Sequence, residues 1–288
     1  MKDSRDTRRS VACAGRLYCD LVFSGAGRLP AMGQEVFAEG LSLHAGGGAF
    51  ITAAWLSALD RPAELVATLP AAPFEQTVRA QIADAGIIPS GCATAPYGTD
   101  PQITVALPLG GDRAFLTRRA GPALPANVSL DRVGHLHIGE LHSLLEHPEL
   151  IPAARAAGIT ISLDCGWEDD ISPEAAKLIA AVDIFLPNEG EATKLAEAGF
   201  ADLAPLTVIK CGADGARARI GGVETHVPTN ATTVMDATGA GDAFNAGFLD
   251  AWLDGKPLDA CLAAGNRTGT AAVSALGGTG GISQLEMS

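Results

Sequence analysis

Residues 236–248 read DATGAGDAFNAGF, and how this run folds decides how the rest of the chain is laid out. Gly239 and Gly241 stand just before a helical pattern, with Asp236 and Asp242 on either side. Glycines weaken a helix, so their concentration at its start serves a turn. Gly239, Ala240 and Gly241 carry almost no side chain, so several backbone N–H groups can close on one anion, helped by the helix dipole. A carboxylate at Asp242 conflicts with such a site unless it faces a nucleophile. It would then accept a hydroxyl proton while the N–H groups stabilise a transferring phosphoryl group. The plainer alternative is a helix N-terminus whose Asp242 complements the dipole, and short glycine motifs alone do not separate the two.

Outward from this turn, short apolar runs alternate with Ala-rich helical stretches. SVACAG, ELVATL, VGHLHIG, ITISLD, VDIFLP and LTVIKC are the strand candidates. Helical patterns cover about 49–60, 74–86, 148–158, 173–181, 189–199, 241–254 and 257–275. Strands apolar on both faces and separated by helices predict an α/β protein with a parallel sheet covered on both sides, whose ligands bind beyond the strands' carboxyl ends. Two segments, about 16–45 and 101–119, instead alternate apolar and polar residues around turns, as in half-exposed antiparallel strands. The second reads as a hairpin turning at Gly110-Gly111-Asp112. Together they predict a small sheet projecting as a lid from one large domain spanning 1–288.

The chain has 288 residues and 47% hydrophobic content, enough for one large core or two modest ones. Its formal net charge of -13 argues against nucleic acid and anionic membranes as partners, although backbone N–H groups can still gather a small anion. Six scattered cysteines with no C-x-x-C pair read as reduced core thiols of a cytoplasmic protein. Arg16 and Asp20 interrupt the apolar segment that follows the charged N-terminus, so no signal peptide is expected, and no run reaches transmembrane length.

DATGAGDAF resembles the C-terminal D-T-x-G-A-G-D signature of the ribokinase-like sugar kinases, the PfkB family, and the resemblance extends along nearly the whole chain. GRLYCDLV (15–22) resembles the first strand and turn, HAGGGAFITAAWLSALD (44–60) the Gly-Gly signature, and ISLDCGW, FLPNEGEATKL and VIKCGADGA follow in order. No Walker-A sequence is present, which suits this family. The resemblance implies a three-layer α/β/α fold with a mostly parallel sheet and a β lid. It also implies ATP- and Mg²⁺-dependent phosphorylation of a sugar or nucleoside hydroxyl, and a homodimer formed through the lid. By resemblance Asp242 is the base, and Gly239, Ala240 and Gly241 hold the transferred phosphoryl group. Asp20, Gly46, Gly47 and Glu140 contact substrate, while Lys210, Gly212 and Asn266 line the nucleotide cleft. Asn188 and Glu191 organise Mg²⁺, although an N-cap followed by first-turn acids reads the same way. Asp236 and Thr238 match a K⁺ site, although Asp236 could equally cap the turn through an Asx bond.

The Gly-Gly signature usually continues to an Asn that grips substrate hydroxyls. Here Ile51 stands at that position, or Thr52 with a one-residue slip. Ile51 cannot bond a hydroxyl, which predicts a more apolar pocket and brings nucleosides and modified sugars into consideration. A sugar acid would need a cationic clamp, for which Arg118 and Arg119 are the candidates, although adjacent strand arginines are more often solvated charge. The further Arg that acid-sugar kinases carry after their D-x-N strand is missing from DCGWED.

His135 and His137 share a strand face near His142 and His147, a pattern more often packing than zinc. The G-x-G in SGAGRLP suits a lid turn rather than a dinucleotide fingerprint, and Trp55, Trp167 and Trp252 read as core or cleft-wall residues. A sugar kinase is the reading that fits best. A nucleoside kinase, a sensor without catalysis and, more remotely, a dinucleotide-dependent oxidoreductase are the alternatives.

Overall fold

The computed structural model describes residues 8–109, 112–131, 133–166, 172–230 and 232–287. The chain runs through β1 (Val11–Ala14), β2 (Tyr18–Ser24), β3 (Gly40–Gly46), α1 (Gly48–Ala58), β4 (Ala63–Thr68), α2 (Glu75–Asp84) and β5 (Ile88–Ala93). It continues through β6 (Ile103–Leu109), β7 (Asp112–Arg118), β8 (His135–Ile138), α3 (Leu141–Glu146), α4 (Leu150–Ala156), β9 (Thr160–Asp164) and α5 (Pro173–Ala180). It finishes with β10 (Ile184–Leu186), α6 (Glu189–Glu197), β11 (Leu206–Lys210), β12 (Ala216–Ile220), β13 (Val223–Val227), α7 (Ala240–Leu253) and α8 (Leu258–Val273).

Nine strands form one sheet in the order β13-β12-β11-β10-β9-β8-β1-β4-β5. Its pairings are parallel from β11 across to β5, and only the β11–β12 and β12–β13 pairs at one edge are antiparallel. Successive strand side chains point to opposite faces, so one apolar strand feeds two cores. In β1, Val11 and Cys13 pack with Phe50, Trp55 and Leu56 of α1, while Ala12 and Ala14 join Leu136, Ile138, Leu141 and Leu144. Helices therefore cover both faces, as the unbroken apolar strands predict.

The order places β1 between β4 and β8, so the chain first builds outward on one side of β1 and later returns to the other. Such a switch point leaves a crevice at the strands' carboxyl ends. Here the backbones meet closely: Gly139 N–H donates to Ala14 O at 2.9 Å, and a methyl on Gly139 would lie 2.4 Å from Ala49 N.

A second sheet has the order β3-β2-β6-β7. Its outer pairs are antiparallel, as the residue alternation predicts, but its central β2–β6 pair is parallel. The difference has a simple cause: β2 and β6 each follow a strand of the parallel sheet, β1 and β5, and so leave the same carboxyl edge in the same direction. In the β6–β7 hairpin Leu109 pairs with Asp112, and the expected turn glycines, Gly110 and Gly111, lie outside the described residues. Further elements absent from the sequence reading are β5, α3 and the β12–β13 hairpin, which turns through Gly221 and Gly222, both at positive φ.

Candidate active site

Four adjacent parallel strands deliver chemistry to one edge. Glu140 follows β8, Asp164 ends β9, Asn188 follows β10 and Lys210 ends β11. Asn188 caps α6: its Oδ1 accepts the Glu191 N–H at 2.9 Å, and Glu191 Oε2 accepts the Asn188 N–H at 2.7 Å. This reciprocal box fixes the Glu191 carboxylate against the strand end. Lys210 Nζ donates to Asp164 Oδ2 at 2.6 Å, and the Asn245 side-chain amide donates to the same oxygen at 2.5 Å.

Against this edge stands the start of α7. Gly239 is its N-cap in the left-handed region at φ 71°, a conformation that suits glycine. Asp236 Oδ1 accepts the Thr238 N–H at 2.8 Å, an Asx bond, and Oδ2 accepts the Gly277 N–H at 2.6 Å. That one carboxylate ties the turn to the loop after α8. A methyl on Gly241 would lie 3.3 Å from Lys210 Nζ, so the lysine borders the turn, within which the Ala240 N–H donates to Ala237 O at 3.3 Å. On the other side, a methyl on Gly48 would meet Asp242 Oδ1 and Gly139 O, each at 2.7 Å. Asp242 thus faces the switch-point crevice, and Thr52, fully buried, donates to its backbone carbonyl at 3.2 Å.

The carboxylates crowd a single cation. Partial burial and then the nearby Asp164 push the Asp242 carboxyl up to about 7, with Lys210 opposing. Burial and Asp164 likewise push Glu191 up to about 7. For Lys210, burial disfavours the charge, but Asp164 and Glu191 outweigh it and raise its pKa. A carboxyl poised near neutrality beside a helix N-terminus has the character of a general base next to an anion site.

A cavity of about 370 Å³ opens on the other side of the turn and is lined by Lys210, Gly212, Ala240, Gly241, Phe244 and Asn266 among others. The expected nucleotide-lining residues therefore converge. Asn266 also donates to Val227 O at 2.9 Å, anchoring the segment that leaves β13.

The expected substrate residues divide. Asp20 lies against Gly46 across the β2–β3 pair, where a methyl on the glycine would overlap its carboxylate. Gly47, at φ 104°, packs on Arg16 O, which a methyl there would approach to 2.3 Å. Ile51 corrects an expectation. It is 5% exposed and packs beneath Gly278 and Gly239, so it fills the core under the turn rather than making the pocket apolar. Neither alignment of the missing Asn yields a pocket side chain, since Thr52 is spent on the Asp242 backbone. Arg118 and Arg119 also separate where β7 ends: Arg118 pairs with Asp100 in the open, its side chain 54% exposed, whereas Arg119 bonds Tyr18. Burial and then Glu140 push the Tyr18 hydroxyl up to about 12, with Arg119 opposing, so these three groups form a polar cluster.

The strand histidines are structural. His135 contacts Thr160 Oγ1 and Ser162 Oγ at 2.7 Å each, and His137 contacts Ser162 Oγ at 2.9 Å. Burial drives them down to about 3 and 4, so both are neutral. His142 and His147 pair with Glu146 and Glu149. Trp55 is a core residue whose indole donates to Gly278 O at 2.9 Å, Trp252 packs on His135, and Trp167 lies outside the described residues. Asp164, Asn245 and Tyr18 are site residues that the sequence reading missed.

With this geometry in place, residues 8–285 match the pattern of the pfkB family carbohydrate kinases. Similar proteins include a 2-dehydro-3-deoxygalactonokinase of Haloferax volcanii, 28% identical over 75% of this chain and 74% of that one. An ATP-dependent ribose-1-phosphate kinase of Halopiger xanaduensis is 24% identical, with 90% of each chain covered. Among solved structures, a putative ribokinase II from E. coli in complex with ATP and Mg²⁺ superposes with a TM-score of 0.81 at 21% identity, covering 97% of this chain and 98% of that one. The fold is that of the ribokinases.

The chain belongs to the pfkB family of carbohydrate kinases. It is accordingly an ATP-dependent phosphotransferase with an alcohol acceptor. No helix among the described residues is long and apolar enough to cross a membrane.

Proposed function

We propose that Asp242 is the base of this kinase, and the observation that carries the reading is its position. It stands one residue past an anion-binding turn, facing the crevice, with a carboxyl raised to about 7. An acceptor hydroxyl in the crevice gives its proton to the Asp242 carboxylate as its oxygen attacks the γ-phosphorus of ATP. The bond from that phosphorus to the bridging oxygen breaks, and ADP leaves with the electron pair. The N–H groups of Gly239, Ala240 and Gly241 stabilise the transferring group, and Lys210 brings positive charge to the same place. The carboxylates of Glu191 and Asp164 fit Mg²⁺ arriving with the nucleotide, which would neutralise phosphate charge there. The cavity beside Gly212 and Asn266 takes the nucleoside part of ATP.

The Arg119–Tyr18–Glu140 cluster narrows the acceptor. Glu140 suits sugar hydroxyls and Arg119 suits an anion, so we favour a sugar bearing a carboxylate or phosphate. The names of the two relatives above describe acceptors of that kind. Asp20 and the Gly46–Gly47 turn would hold the rest of the sugar, under a lid that closes to exclude water. The proposal extends to K⁺ beside Asp236 and Thr238, to a homodimer through the lid sheet, which exposes Leu41, Phe115 and Leu116, and to the cytoplasm, where free cysteines persist.

The test is ATP turnover with Mg²⁺, with and without K⁺, across sugar acids, sugar phosphates, neutral sugars and nucleosides, alongside Asp242→Asn. ADP formation that requires an anionic sugar and disappears in the variant supports the reading. Turnover of nucleosides alone redirects the acceptor, and ATP binding without turnover of any acceptor makes the protein a sensor.

A further inference from the structure

Arg16 lies in the three-residue link between β1 and β2, where the chain first passes from the large sheet to the lid. It is 2% exposed, a rare position for an arginine, and its guanidinium reaches two of the other three passages between the two sheets. Its Nη1 donates to the Gln102 side chain, just before β6, and at 2.9 Å to Gly121 O, just after β7. The fourth passage, at Gly47, packs on the Arg16 carbonyl. Nη2 donates to both oxygens of Glu146 at 2.5 and 2.7 Å, a charge-assisted contact with the last residue of α3. Glu146 also accepts the Ala123 N–H at 3.2 Å and contacts the His142 ring at 3.0 Å. At the other end of α3 is Glu140, held by Ser143 Oγ at 2.6 Å.

We infer that Arg16 and Glu146 form a clasp that sets the resting angle of the lid and, through α3, the position of Glu140 beneath it. They are positioning residues that need not touch the acceptor. The clasp joins three of the four hinge segments, so a lid movement must slide the guanidinium's partners past it or carry them together. This inference rests on the kinase reading for its kinetic consequence, but its structural consequence is independent of it.

The test uses the full chain. Glu146→Gln removes the charge but keeps an oxygen for the Ala123 N–H, and Arg16→Gln removes the other partner. Amide exchange in β2 and β6 should quicken about tenfold in Glu146→Gln, while β8 and β9 stay within about twofold. With the acceptor found for the wild type, its KM should rise about tenfold, ATP affinity measured by calorimetry should stay within about twofold, and ATP hydrolysis without acceptor should increase. Unchanged lid exchange in both variants, or lid and core quickening by the same factor, overturns the clasp. Should Arg16→Gln fail to fold, Glu146→Gln decides alone, since its side chain is 29% exposed and its amide oxygen can still accept from the guanidinium. If the wild type turns over no acceptor, the kinase reading fails while the exchange experiment still decides the clasp.

Discussion

Lys210 Nζ sits 2.6 Å from Asp164 Oδ2 and borders Gly241 of the Gly-Ala-Gly turn, so one ammonium joins the end of β11, the end of β9 and the start of α7. Lys210→Met would strand the buried Asp164 charge. Losing one partner of a buried pair costs about 3–5 kcal/mol, so urea unfolding should show a loss in that range, with a raised KM for ATP. Adding Asp164→Leu should recover much of the stability and none of the ATP affinity. If Lys210→Met alone unfolds like the wild type, the pair is not structural.

Asp242→Asn should lower kcat about 10³-fold, within the range for removing a positioned base, and leave ATP binding intact. The base works deprotonated, so wild-type kcat/KM should rise with pH and level off above about 7. That inflection should be missing from the residual activity of the variant.

The same carboxyl predicts the pH dependence of stability. Its folded pKa of about 7 exceeds its unfolded value, so the folded state holds more protons and its advantage fades as pH rises from about 4 through about 7. Asp242→Asn removes this loss. The melting temperature of the variant minus that of the wild type should therefore be larger at pH 8 than at pH 5.5, by calorimetry without nucleotide. An equal difference at both values would show that the carboxyl is not raised.

Gly48→Ala tests the crevice itself. Its methyl would press on Asp242 Oδ1 and Gly139 O, moving the base by a fraction of an ångström. Misplacement on that scale can cost about 10²-fold in rate, so kcat should fall that far while the protein stays folded and ATP affinity holds.

Arg119→Met separates acceptor classes. It should raise KM for an anionic sugar about tenfold or more, as loss of a charge-assisted bond implies, and leave neutral sugars nearly unaffected. Arg118→Met, at the exposed Asp100 pair, should change neither.

The six strand runs were legible because burial on both faces makes them predominantly apolar, with interruptions such as His135, His137 and Ser162 too few to hide the pattern. The β12–β13 hairpin was not, since Arg217 and Arg219 make β12 look like solvated surface, although Gly221-Gly222 between alternating runs was a usable signal. At the site, the Gly-Ala-Gly turn and Asp242 are contiguous and so could be read directly. Asp164 and Asn245 lie 81 residues apart, and an acid ending a strand or an amide inside a helix is unremarkable until folding joins them. Ile51 shows a further limit: alignment assigned its position, but packing under Gly278 decided where its side chain points.

The place of β1 in the sheet bears on how the molecule is made. This strand, at residues 11–14, pairs with β4 and also with β8 at residues 135–138. During synthesis the first strand waits through both halves of the lid before its second neighbour leaves the ribosome. The turn at Gly239 and its tether at Gly277 emerge later still. Domains fold as units while the chain emerges, so the lid sheet can pair early, and the reactive centre is among the last parts of the protein to come into being.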